Sequence, residues 1–369
     1  MVDIHVHIGA HKTGTTSIQN FLYQNTDYLI SQNAYVARAY EIIAKVRLHK
    51  IEEFDDALAR TARSNFLEAL DACKSNRCDK LLLSWENFSG NPDRSYGNVG
   101  ILARVLANVL EGQTVKIVAY LPRQDQLVES WYMQKIKGGE SYTFDEYLET
   151  HDFLFDWSVF LNTYARHFGK ENINARVFSR AIFSEPEDLL RDFLSVVGIA
   201  PPPYHFITAH ANPGLMPVGV EFNRLLNSHV TLSVPDRKLL RSSLEAVAAA
   251  GKDNRYSFFS PAGRRTFLSK HETANARLAA EYFSGTSDVF GIEGIDEEME
   301  QQTAFDAKDM AFMLARTLIQ LRRIDLRLAE LEGSSGLRVI RHVASWFSTR
   351  LSRFPRLMLW IRRLLGLRR

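Results

Sequence analysis

Gly9-Ala10-His11-Lys12-Thr13-Gly14-Thr15-Thr16 is the stretch on which the fold turns. Before it, Asp3-Ile4-His5-Val6-His7-Ile8 alternates: Ile4, Val6 and Ile8 fall on one side, His5 and His7 on the other. That is the period of a strand. After it, Thr15–Asn25 places Ile18, Phe21 and Leu22 on one side of a helix. A glycine-bearing turn between strand and helix aims successive backbone N–H groups at one point, and the helix N-terminus adds partial positive charge. The expected ligand of such a turn is a phosphate or a sulfate.

Working outward, short apolar runs recur at Leu81–Ser84, Val115–Leu121 and Ile173–Phe178. Helical patterns lie between them at 55–73, 99–110, 124–136 and 157–168, with a further one from Phe183 to Val197 that ends at Gly198. Apolar strands separated by helices predict an α/β fold, a parallel sheet covered on both faces in three α/β/α layers. The Pro201-Pro202-Pro203 run marks a break. Helical patterns continue at 216–229, 235–250, 261–284 and 304–332, before the hinge-like Gly333-Ser334-Ser335-Gly336. The expected organisation is an α/β domain over 1–285, a helical C-terminal extension over 286–333 and a basic tail over 334–369.

Composition narrows the class. With 369 residues, 46% hydrophobic and 24% charged, the chain reads as globular rather than disordered, collagen-like or coiled-coil. Two cysteines, Cys73 and Cys78, are too few for a disulfide framework or a four-ligand zinc site and fit a reducing compartment. No apolar run reaches the ~20 residues of a spanning helix, and Met1 leads into strand-like sequence rather than a signal peptide. The expectation is a cytoplasmic protein. The net charge of +2 conceals an asymmetry. Residues 334–369 hold nine arginines and no acid or lysine, which leaves −7 on the first 333 residues. A nucleic-acid binder carries its basic charge on the folded body, so this distribution argues against one.

A nucleotide kinase would place lysine directly after the second glycine; here Thr15 stands there and Lys12 lies inside the loop. The order Ile8-Gly-Ala-His-Lys-Thr-Gly-Thr-Thr-Ser-Ile-Gln19 instead resembles the 5′-phosphosulfate loop of sulfotransferases that use 3′-phosphoadenylyl sulfate (PAPS), above all a bacterial carbohydrate-sulfotransferase branch. The resemblance implies a P-loop-type sheet, and PAPS as co-substrate held by Lys12, Thr13, Gly14, Thr15, Thr16 and Ser17. In that superfamily a later strand ends in an arginine that, with a serine two helical turns on, holds the cofactor's 3′-phosphate. The segment Val115–Leu121, Pro122, Arg123 and Ser130 is similar, although the family spacing is one residue longer and would put the arginine at Pro122. Phe258-Phe-Ser-Pro-Ala-Gly-Arg264-Arg265 also resembles a C-terminal stretch of the branch, which implies Arg264 as a further phosphate ligand.

Sulfuryl transfer needs positioning, neutralisation of the leaving phosphate and a base for the acceptor hydroxyl. Lys12 suits the second task. Glu86, following the Leu81–Ser84 run, is the candidate base, since open α/β sheets bind ligands at the carboxyl ends of their strands. His11 is its rival, as base, as leaving-group acid or as a residue that merely shapes the turn. His5 and His7 share a strand face but lack a third ligand, so no metal site is expected. Trp85, Trp131, Tyr132 and Trp157 suit either an acceptor cleft or the core.

From Ile340 an apolar stripe runs through Val343, Phe347, Leu351, Phe354, Met358, Ile361 and Leu365, flanked by arginines and kinked at Pro355. Over 337–369 this reads either as a helix on an anionic membrane surface at the inner face or as a terminal helix packed on the body. Partial heptads over 306–332 are compatible with a homodimer. The leading expectation is a PAPS-dependent sulfotransferase acting on a hydroxyl of a saccharide or glycolipid. The alternatives are a nucleotide-dependent P-loop kinase and a catalytically silent, membrane-associated scaffold of the same fold.

Overall fold

A computed structural model describes residues 2–43, 56–151, 153–179, 182–202, 217–229, 256–284 and 286–292, together with 233, 234, 237, 300, 301 and 314. The chain divides into two units, Met1–Asp306 and Ala307–Arg369. The helical pattern at 304–332 and the amphipathic tail lie outside the described residues except for Leu314, and so does the pattern at 235–250 except for Arg237.

The first unit is built on β1 (Asp3–Gly9), β2 (Ala34–Ala37), β3 (Lys80–Ser84), β4 (Val115–Pro122) and β5 (Ile173–Phe178). All pair in parallel, in the order β2-β3-β1-β4-β5. The expected parallel α/β sheet is therefore present, with β1 at its centre. Ile4, Val6 and Ile8 are wholly buried, and His5 and His7 on the opposite face are 3% and 1% exposed. A central strand covered on both sides has no polar face to spare.

Helices form both outer layers. On the His5/His7 face, α1 (Thr15–Gln24) and α9 (Pro186–Val196) bring Ile18, Phe21, Leu22, Leu190 and Phe193 against Leu82, Val118 and Tyr120. On the other face lie α4 (Asp56–Ser75), α5 (Val99–Val109) and α8 (Trp157–Phe168). The Asp156 carboxylate opens α8 by accepting from the Val159 amide at 2.9 Å, and Gly169 closes it. The remaining helices are α2 (Thr26–Ser31), α3 (Ala39–Ile42), α6 (Gln124–Gly138), α7 (Phe144–Thr150), α10 (Pro217–His229), α11 (Pro261–Ser269) and α12 (Glu272–Tyr282).

Three sequence expectations are corrected. The helix expected from Phe183 begins at Pro186, whose fixed φ suits a first helical position. The single helix expected over 261–284 is two, because the buried His271 turns its ring onto the carbonyls of Phe267 (3.1 Å) and Phe153 (2.9 Å). The edge strand β2 was not anticipated; four residues carry too little periodicity to read. Cys73 and Cys78 are buried free thiols, and burial pushes the Cys73 thiol up to about 11. Among the described residues, no helix is long and apolar enough to cross a membrane.

The two β1 histidines are part of the packing. His7 Nδ1 meets Ser84 Oγ at 2.8 Å, and its ring lies edge-on to Tyr120 and Phe193. Burial pushes its pKa down to about 3 and lowers that of His5 as well. The folded protein therefore holds His7 neutral, while the unfolded chain takes up a proton near pH 6.5. Stability is complete above that pH. It is expected to fall as the pH drops through 6.5 towards 3, by up to ~1.4 kcal/mol per pH unit for this group. Thermal melts between pH 7.5 and 4.5 check this, and His7→Gln should flatten the slope.

Candidate functional site

Three neighbouring strands, β3, β1 and β4, end at one edge of the sheet, and each is followed at once by a candidate residue. Gly9 ends β1 and enters the loop, Glu86 follows β3, and Arg123 follows β4. This is the position at which open parallel sheets bind ligands.

The loop is held by its own bonds. The Ala10 amide donates to the Tyr120 carbonyl at 2.8 Å, and the Thr13 hydroxyl donates to the Ala10 carbonyl at 2.7 Å. Gly9 and Gly14 have φ of +84° and +78°, in the left-handed region open to glycine. A Cβ on Gly9 would lie 3.2 Å from Glu86 Cα, and one on Gly14 would run into Leu189 of α9. Lys12 is a non-glycine residue at φ +66°, a conformation that costs ~1–2 kcal/mol and marks strain of the kind that clusters at functional sites.

The loop forms a cradle. The amides of Thr13, Gly14, Thr15 and Thr16 donate to no backbone carbonyl among the described residues, whereas Ser17 and Ile18 already donate to Gly14. Thr15 is 5% exposed, and its hydroxyl has no hydrogen-bond partner among the described residues. An unpaired buried hydroxyl costs ~1–3 kcal/mol. Together with a run of amides that donate to no backbone carbonyl among the described residues, it fits an oxyanion. Lys12 and Thr16 are exposed and Ser17 is half-buried.

Glu86 is half-buried and opens a 3-10 turn, Glu86–Ser89. Gln19 of α1 donates from Nε2 to Glu86 Oε2 (3.0 Å) and to the Ser84 carbonyl (3.2 Å). Oε1 makes no hydrogen bond among the described residues. Gln19 thus fixes one carboxylate oxygen, a role the sequence reading missed. Its position one helical turn after Thr15 was the only available signal.

His11 is 8% exposed and enclosed by residues from distant segments. Its amide donates to the Tyr96 hydroxyl (3.3 Å), and Nδ1 lies 3.2 Å from Ser89 Oγ. The Ser89 hydroxyl itself donates to the Glu86 carbonyl at 2.6 Å. Tyr96 stacks on the imidazole and Trp131 meets it edge-on, with centroids 5.8 and 5.3 Å apart. Nothing in the sequence pointed to Tyr96. Its φ of +61° bends the chain so that its ring reaches the loop.

Of the aromatic candidates, Trp157 and Tyr132 are each 1% exposed and belong to the core, with Trp157 Nε1 donating to the Pro122 carbonyl at 3.1 Å. Trp85 and Trp131 are half-buried, Trp85 edge-on to Phe88 and Trp131 edge-on to His11. Pro122, where the family spacing would put an arginine, is the buried end of β4. Arg123 is the guanidinium at this strand end. Its Nε and Nη2 bind Asp125 Oδ1 and Oδ2 at 2.7 and 3.0 Å. Ser130 is half-buried two turns along α6 from it. Arg264, in α11, is 4% exposed and bonded to Asp125, Glu129 and Ser257.

No family model matches the chain. An "Uncharacterized protein" of Archaeoglobus fulgidus is 32% identical over 186 residues, which make up 50% of this chain and 50% of that protein, so the match spans about half the length of the relative. Among solved structures, a sulfotransferase from Alicyclobacillus acidocaldarius is similar, with a TM-score of 0.42 and 14% identity, over 75% of this chain and 94% of that one.

Proposed function

We propose that this chain is a sulfotransferase that moves a sulfuryl group from PAPS to a hydroxyl, with a saccharide or glycolipid as the acceptor class. The cradle carries this reading: among the described residues, four consecutive amides donate to no backbone carbonyl and the buried Thr15 hydroxyl has no partner. A strained Lys12 stands at its rim, and Glu86 and Arg123 flank it on the neighbouring strand ends. The amides of Thr13 to Thr16, with the hydroxyls of Thr15, Thr16 and Ser17, hold the 5′-phosphate of the donor. Arg123 and Ser130 hold its 3′-phosphate.

In the transfer step Glu86 takes the proton of the acceptor hydroxyl. The acceptor oxygen bonds to sulfur as the bond from sulfur to the 5′-phosphate oxygen breaks, and Lys12 neutralises the charge that collects on that oxygen. The products are a sulfate ester and 3′-phosphoadenosine 5′-phosphate. His11, packed by Tyr96, Ser89 and Trp131, serves the shape of the loop. The saccharide class is supported by the resemblance in the loop.

Calorimetry with 3′-phosphoadenosine 5′-phosphate tests the reading. Binding of that nucleotide in preference to ATP with magnesium is expected, and the reverse preference would refute it in favour of a kinase. Thr15→Val sharpens the test. Removing an orphaned hydroxyl should leave the melting temperature unchanged or raised. The loss of one hydrogen bond to a charged group should weaken nucleotide binding by about tenfold or more. A variant that binds as tightly as the original would remove Thr15 from the site.

For residues 337–369 we propose attachment to an anionic membrane surface, on the arginine-flanked stripe alone. Deleting residues 334–369 should abolish co-sedimentation with vesicles rich in anionic lipid; undiminished sedimentation would refute it.

A further inference from the structure

The first turn of α6 holds a buried charge cluster of which the chemistry above uses only Arg123. Arg123 is the residue preceding α6, with an extended backbone (φ −61°, ψ 140°). Its side chain folds back onto the helix and grips Asp125 with a two-pronged fork, Nε to Oδ1 at 2.7 Å and Nη2 to Oδ2 at 3.0 Å. Asp125 is wholly buried. Its Oδ2 also accepts from Nη1 of Arg264, which is further bound by Glu129 Oε2 (3.1 Å) and Ser257 Oγ (2.5 Å).

The two arginines are not equivalent. Arg264 has both terminal nitrogens engaged and its guanidinium lies over the Phe259 ring. It lies behind Asp125, sealed from solvent. Arg123 is 13% exposed and spends only two of its five N–H groups on Asp125. Nη1 makes no hydrogen bond among the described residues, so a fixed edge remains for a ligand. Without Asp125, nothing among the described residues would orient that edge. Arg264 would still have Glu129 and Ser257.

We infer that Asp125 is a positioning residue: it locks Arg123 so that the remaining guanidinium edge faces the 3′-phosphate of the nucleotide, while Arg264 braces Asp125 from behind and does not touch the ligand. This rests on the reading of the site as a PAPS site. The rigid fork is the reason for an arginine rather than a lysine. A guanidinium presents one edge to a carboxylate and the other to a phosphate, whereas an ammonium is a point charge without that geometry.

The experiment compares the affinities of the full-length chain for 3′-phosphoadenosine 5′-phosphate and adenosine 5′-phosphate, which differ only in the 3′-phosphate. The ratio of the two isolates that group. In the unmodified protein the ratio is expected to favour the first nucleotide. If the ratio is near one, the PAPS reading fails and the inference with it. Asp125→Asn keeps the shape but loses one acceptor and the charge; the ratio should fall by about tenfold or more, with adenosine 5′-phosphate binding unchanged. Arg123→Lys keeps the charge but cannot form the fork, and should lower the ratio equally, which covers the case in which Asp125→Asn fails to fold. The inference is overturned if Arg123→Lys retains the full ratio, or if a folded Asp125→Asn does so.

Discussion

Replacing Lys12 by alanine is expected to lower sulfuryl transfer by about 10²–10³-fold, the usual loss when one group that stabilises developing negative charge is removed. Lys12 is exposed, and its backbone sits at φ +66°, a conformation alanine bears no more readily than lysine. The rate loss should appear in kcat, with the affinity for 3′-phosphoadenosine 5′-phosphate changed far less, because the backbone amides of the cradle remain. Lys12→Gly separates chemistry from architecture. Glycine adopts a left-handed backbone without the cost borne by other residues. That variant should therefore melt higher than Lys12→Ala while remaining as inactive. A Lys12→Ala protein retaining full transfer activity would exclude the lysine from the reaction.

Gly14→Ala should have the largest effect on the molecule itself. Two costs fall on the same atom. The backbone at φ +78° is unfavourable for any side chain by ~1–2 kcal/mol, and the new Cβ would be driven into Leu189 on α9. Overpacking of that kind costs a further ~1–3 kcal/mol. The expected loss is therefore about 2–5 kcal/mol, read from the denaturation midpoint, together with loss of nucleotide binding as the amides of Thr15 and Thr16 shift. Adding Leu189→Ala relieves the collision but not the backbone, so the two substitutions should be strongly non-additive in stability. Binding should stay lost in the double variant. Full additivity would mean that Gly14 and Leu189 are not in contact.

Much of the site's surroundings was legible before any coordinates. The β1 alternation, the glycine-bearing turn and the Ile18, Phe21, Leu22 face of α1 are local patterns, and each appears where the sequence placed it. The strand ends carrying Glu86 and Arg123 followed from apolar runs in the same way. The break between α11 and α12 was not legible. It depends on His271 meeting the Phe153 carbonyl, 118 positions away in the chain. Tyr132 and Trp157 were open between cleft and core for a similar reason, since an aromatic ring serves both and only its neighbours decide.

What the amino-acid sequence determined by itself was the parallel α/β layering and the position of a glycine-bearing turn after its first strand, because backbone periodicity and glycine placement act over a few residues. What the tertiary structure alone decided was the pairing of side chains. Gln19 lies on Glu86, Tyr96 and Ser89 on His11, and Asp125 between Arg123 and Arg264. In a chain with 43 acidic and 45 basic residues, a charged group carries no label for its partner. The partner is chosen when distant elements dock and the buried charge must be met by whatever stands within a few ångströms.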